Sequence, residues 1–189
     1  MLERLALCVD RGGRTAARDL AGHAARYQAG ARRIVEVVGK KGFDRLMQEK
    51  IFRPMGMKKS TYTSEYAVNP SGGARTSAFD YVRFLAMLMN KGTFNGKKIL
   101  SEEAVDELLT LQTKDVKTTY LPDVAQGSGY ALGSFVQETD SKGNPAVFTS
   151  PGLTGTWPYL DICRKYACII LVKSQSKEDK KDVYIEIKK

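Results

Sequence analysis

The 189-residue chain is 42% hydrophobic, enough for one good core, and carries a net charge of +9 from 30 Lys and Arg against 21 Asp and Glu. Apolar runs are too short for a membrane span, and Met1 to Val9, with acidic Glu3, does not read as a secretory leader, which says little about a longer parent, because an address at the parent's own amino terminus would be lost from this chain. The lysines fall in scattered pairs without an aromatic-interleaved groove, so the excess charge reads as a solvated surface and no nucleic-acid partner is expected.

Residues 1–33 are atypical. Arg4, Arg11, Arg14, Arg18, Arg26, Arg32 and Arg33 all lie there, no lysine does, and few large apolar residues follow Val9. A shifted reading frame, an artificial junction or a misplaced gene start would produce such a segment. From Ile34 the pattern becomes orderly. Ile34, Val37 and Val38, then Phe43, Leu46, Met47 and Ile51, recur at helical spacing on either side of Gly39 to Gly42, which predicts two amphipathic helices joined by a turn. Pro54 and Gly56 end the second helix, and a loop runs from Met57 to Arg75.

Ser77-Ala78-Phe79-Asp80 has the spacing of a capping-box variant. Phe79, Val82, Leu85, Ala86 and Met89 make the expected apolar stripe of a helix ending near Gly92. Asn95-Gly96 reads as a tight turn, and Ser101 before Glu102 and Glu103 caps a further helix through Leu111. Residues 34–125 are therefore expected to form a helical part. Residues 126–189 change character, because Tyr130 to Gln137, Ala146 to Thr149, Thr156 to Ile162 and Tyr166 to Lys173 are β-prone runs separated by turn residues. They predict an antiparallel meander. The charged tail from Ser176 to Lys189 places Val183, Tyr184 and Ile187 near one helical face, although Val183, Ile185 and Ile187 equally permit a strand. The fold class is thus α+β: helices, a sheet meander and a C-terminal helix.

No metal or cofactor is expected, since one histidine, His23, and three unpaired cysteines, Cys8, Cys163 and Cys168, supply neither a zinc set nor a disulfide framework. The cysteines read as buried small hydrophobes.

Several words in this order carry more than architecture. Phe43 to Met57 runs a helix into Pro54-Met55-Gly56-Met57. Gly72-Gly73-Ala74-Arg75-Thr76-Ser77-Ala78-Phe79-Asp80 leads into the next helix, followed by Asn95-Gly96-Lys97 and Ile99-Leu100-Ser101. Phe148-Thr149-Ser150-Pro151-Gly152-Leu153-Thr154-Gly155-Thr156 comes last. Together they resemble the β-lactamase-related serine hydrolases, the class C β-lactamase and penicillin-binding-protein-like family, over about residues 34–175. Met55 stands where that family usually has leucine, a volume-conserving swap.

The resemblance implies part of a β-lactamase/transpeptidase-like fold and, in a complete parent, acyl-serine hydrolysis of a small ester, amide or peptidoglycan-like substrate. It places Ser150 where the third motif has its lysine or histidine, Gly152 at the motif glycine, and the Leu153 backbone N–H as one oxyanion donor. An edge strand there would let a bound acyl group pair in β-fashion. Ser150 carries no positive charge, which tilts the substrate from a β-lactam carboxylate towards an ester or peptide-like acyl group.

The family's Ser-x-x-Lys belongs well before that motif. Its one occurrence, Ser174-Gln175-Ser176-Lys177, comes after it and reads as coincidence. Tyr27, in Tyr27-Gln28-Ala29, is the sole tyrosine before Ile34 and a weak match to the proton-relay Tyr-x-Asn or Tyr-x-Ser loop. Low hydrolase activity is therefore expected of this chain. A non-catalytic ligand-binding module, and a truncated open reading frame without selected function, are the competing readings.

Overall fold

The computed structural model describes residues 30–62, 68–70, 72–114, 116, 121, 125–152, 155–172 and 186. Helix α1 spans residues 30–39, and α2 (Phe43–Met47) runs directly into a π-helical turn, Gln48–Phe52. Helix α3 (Ala78–Met89) is followed by a two-stranded hairpin, β1 (Thr93–Phe94) and β2 (Lys97–Lys98), and by α4 (Glu102–Leu109). The strands β3 (Gly129–Tyr130), β4 (Phe135–Thr139), β5 (Pro145–Thr149), β6 (Thr156–Asp161) and β7 (Tyr166–Leu171) then form one antiparallel sheet in sequence order. The expected α+β architecture of helices followed by a meander is what the chain adopts. Of the predicted C-terminal helix from Ser176, only Glu186, which is helical, is among the described residues.

Local chemistry accounts for the boundaries. The Ser77 and Ser101 side chains accept the backbone N–H groups of Asp80 and Ala104, capping α3 and α4. At Gly92 (φ 88°) a Cβ would lie 2.4 Å from the Leu100 carbonyl oxygen, so only glycine fits the exit from α3. Asn95 and Gly96, both at positive φ, close the small hairpin as their sequence predicts. At the β6–β7 turn the fully buried Asp161 carboxylate accepts from the Arg164 backbone N–H at 2.7 Å and from its guanidinium at 2.6 Å.

One core joins helices and sheet, with Leu85, Met87 and Leu88 of α3 clustered with Val136, Phe148 and Leu160 of β4, β5 and β6. Cross-strand pairing explains the sheet's contribution. Phe148 stands opposite Val136 and Leu160, and Leu160 opposite Ala167, so one face presents a continuous apolar row to α3.

Five expectations need correction. The run from Tyr130 to Gln137 is a hairpin and not one strand: Gly133 turns at φ 94°, and the Leu132 N–H leaves the sheet to bond the Leu108 carbonyl of α4. Strand β5 is not an edge, because β4 and β6 flank it on both sides. The apolar stripe of α3 is rotated: Phe79 is 85% exposed and Val82 39%, while Tyr81, Phe84, Leu85 and Leu88 face the sheet. Helix α1 turns Ile34, Val37 and Val38 outward (66, 57 and 78% exposed) and sets Gly39 against Leu46. Finally, Cys163 and Cys168 are exposed, the first in the β6–β7 turn and the second on the terminal strand of the sheet. Cys8 lies outside the described residues.

Candidate functional site

The site is built around α3, and a buried carboxylate fixes that helix. Asp80 (5% exposed) follows the Ser77 cap by three residues, but its side chain does not reach back along its own helix. It crosses to the loop after α2, accepting the Lys59 backbone N–H at 2.7 Å and the Ser60 hydroxyl at 2.9 Å. Ser60 also shares a 2.8 Å hydrogen bond with Thr76. Thr61 and Arg75 exchange two backbone bonds of 2.9 Å, so two stretches of the long loop lie together as a short β-bridge. Asp44 adds a tie from α2, accepting the Tyr62 N–H at 2.9 Å.

Pro54-Met55-Gly56-Met57 serves the same end. Met55 and Met57 are buried, Gly56 turns between them at φ 67°, and its carbonyl accepts from the Arg83 guanidinium of α3. Both family-like words in this half of the chain are thus accounted for by packing and buried hydrogen bonds.

Held this way, α3 and α4 stand over one end of the sheet and leave a cleft of about 200 Å³. Tyr81, Phe84 and Leu88 form one wall, Leu108 and Leu109 of α4 another, and Phe148, Pro158 and Leu160 the floor. Leu132, Gly133 and Ser134 of the β3–β4 turn close one side. Ser150 is exposed and borders the cleft immediately after the last residue of β5. The residue before it, Thr149, is 3% exposed and donates through its hydroxyl to the Pro158 carbonyl at 2.7 Å, tying the end of β5 to the middle of β6. Burial raises the Tyr81 phenol above its ordinary value, with the nearby Tyr62 adding to the rise, so this wall stays uncharged at neutral pH.

The turn after Ser150 is partly described. The Gly152 N–H donates to the Thr156 carbonyl at 2.7 Å, and the Gly152 carbonyl accepts from Gly155 at 2.9 Å. A Cβ on Gly152 would meet the Thr156 Cβ at 3.4 Å, ordinary contact, so the chain's own packing does not demand glycine there. Of the residues singled out from sequence, Ser150 therefore borders the cleft, and Gly152 lies two residues on in the turn that follows it. Leu153 and Tyr27 lie outside the described residues, as does the Ser174 to Lys177 word.

Sequence reasoning missed the cleft's walls. Tyr81, Phe84 and Leu88 recur at spacings of three and four on α3, but Phe79 and Val82 offered an equally good stripe. Leu132 and Ser134 were absorbed into a supposed continuous strand, although Gly133 signals a turn.

A family model described as Beta-lactamase matches residues 22–188. In Mycobacterium tuberculosis, the protein Rv1367c is 32% identical over 99 residues, covering 47% of this chain and 25% of the relative. The fold is similar to that of a candidate β-lactamase from Bacteroides dorei DSM 17855, with a TM-score of 0.67 and 25% identity over 82% of this chain and 55% of the other. A β-lactamase from Mycobacterium bovis gives a TM-score of 0.67 at 17% identity, covering 82% of this chain and 57% of the other. A penicillin-binding protein homologue from Caulobacter crescentus gives 0.61 at 15%, covering 85% and 55%. The chain thus spans about half the length of the solved structures it resembles.

Proposed function

The chain belongs to the Beta-lactamase family, and from that membership we propose that it is the carboxy-terminal part of a serine hydrolase whose complete form cleaves a small ester or amide through an acyl-serine intermediate. The observation that carries this reading is the position of Ser150, at the end of a central strand and at the mouth of a cleft roofed by α3 and α4. An acyl-transfer site needs such a place, where a reacting carbonyl is held between a rigid strand end and an apolar wall.

In the complete enzyme the nucleophile and its base come from the length that this chain does not span. Ser150 and Gly152 border the acyl group, and the Leu153 N–H is one oxyanion donor, with the nucleophile's own backbone as the second. Gly152 supplies no donor in its present geometry, since its N–H is already committed to Thr156. Tyr27 is the candidate relay tyrosine. By itself the chain turns over ester or β-lactam slowly or not at all, since a hydroxyl nucleophile without an activating base is weak at neutral pH.

Nitrocefin and p-nitrophenyl acetate turnover is the test, with background rates expected for the purified chain. Rates clearly above background and abolished by Ser174→Ala would overturn the proposal by giving the chain its own nucleophile. A second reading, a non-catalytic module that holds an acyl or peptidoglycan-like ligand, is favoured by the hydroxyl of Ser150 standing where the family motif carries a cation. Labelling of the complete parent by a fluorophosphonate or a fluorescent penicillin separates the two, because only a live nucleophile is labelled.

A further inference from the structure

The cleft beside Ser150 contains a feature that acyl chemistry alone does not require: none of its described lining residues carries a charge. Tyr81, Ser134, Thr149 and Ser150 supply its hydroxyls, and every other lining side chain is apolar. Moving a charged group into such surroundings without a partner is strongly unfavourable, whereas an alkyl group gains by leaving water. Size narrows the choice. Liquid water occupies about 30 Å³ per molecule, so about 200 Å³ holds roughly six or seven non-hydrogen atoms. That is below the usual range for a drug-sized ligand.

One polar atom remains to be accounted for. The Ser134 hydroxyl is buried in the cleft wall and has no hydrogen-bond partner among the described residues. A buried hydroxyl without a partner is costly, and rotation about its χ1 is the smallest motion that would offer it to a ligand oxygen. We propose that this cleft is the acyl subsite and that it takes a short, uncharged aliphatic acyl group of about six carbons, with the Ser134 hydroxyl donating to the ligand's carbonyl oxygen. The proposal rests on the acyl-hydrolase reading for its substrate class, but binding itself needs no nucleophile.

The test uses the full 189-residue chain, labelled with ¹⁵N, titrated with N-methylhexanamide and, separately, with the anion of N-methylsuccinamic acid, which has a carboxylate at the end of a similarly short chain. Shifts confined to α3, α4 and the β3–β4 turn are expected with the hexanamide, and at least tenfold weaker ones with the charged analogue. Leu132→Asp, a substitution at a 48% exposed position, should weaken hexanamide binding at least tenfold, and Ser134→Ala by about two- to tenfold, the range for one hydrogen bond. Phe79→Ser, on the outer side of α3, should leave it unchanged.

Equal binding of the two ligands, indifference to Leu132→Asp, or no shifts in a chain whose spectrum is that of a folded protein would overturn the proposal. Specific hexanamide binding by the chain supports the subsite, and if the complete parent is not labelled by a fluorophosphonate the hydrolase reading alone fails. Labelling of the complete parent without hexanamide binding by the chain sinks the subsite alone.

Discussion

Helices α1 and α3 both carry apolar residues at helical spacing, yet they use them in opposite ways. Helix α3 is pinned by Asp80 and Arg83 to the loop after α2 and buries Leu85, Met87 and Leu88 against the sheet. Helix α1 is held by polar ties, with the Arg32 guanidinium on the Val68 carbonyl at 2.8 Å and Glu36 accepting the Phe43 N–H at 3.1 Å, and exposes its valines. Apolar periodicity therefore says that a helix forms. What it covers is decided by the buried polar contacts that orient it.

The contrast can be broken most sharply at Asp80. Asp80→Ala leaves the Lys59 N–H and the Ser60 hydroxyl without their buried acceptor, and should cost about 3 kcal/mol in urea unfolding. A loss under about 1 kcal/mol would mean that the carboxylate does not set the position of α3. Gly56→Ala forces a Cβ onto a residue at φ 67°, beside the Arg83 guanidinium at 3.1 Å, and should cost about 1–2 kcal/mol by the same measurement. An unchanged midpoint would remove the turn from the list of constraints.

A smaller effect is expected at the α4 cap, where Ser101→Ala removes the acceptor for the Ala104 N–H and should cost about 1 kcal/mol. On α1 the smallest effect is expected. Val38→Lys, at 78% exposure, should change stability by less than about 0.5 kcal/mol while raising solubility. A loss above about 2 kcal/mol would show that another surface covers this face, and the difference between the two helices would disappear.

Much of the fold was legible in the chain because its signals are local. Ser77 and Ser101 cap where their positions say, Asn95-Gly96 turns, and Pro54 to Met57 ends the second helix. The turn chemistry after Thr149 was legible as well, since β5 ends there, and Ser150 borders a cleft. The inward face of α3 was not. Apolar residues occur at Phe79, Val82, Leu85, Ala86 and Met89 and equally at Phe84, Leu85 and Leu88, so two stripes fit one helix and only one meets the sheet. The exposure of Cys163 and Cys168 was hidden for a related reason, since burial of a small side chain depends on which strand lies at the border.

By itself the sequence determined most of the helix, turn and strand segments among the described residues, the turn at Gly133 excepted, because capping, left-handed turns and β-propensity act between residues close together along the chain. The tertiary structure alone decided that Asp80 reaches back some 20 residues to Ser60 rather than completing its own capping box, that β5 is flanked on both sides, and that Ser134 and Leu108 share a cleft with Ser150. Those are contacts between distant segments. They follow from how apolar faces and buried hydrogen bonds are satisfied together, and no local pattern encodes that outcome.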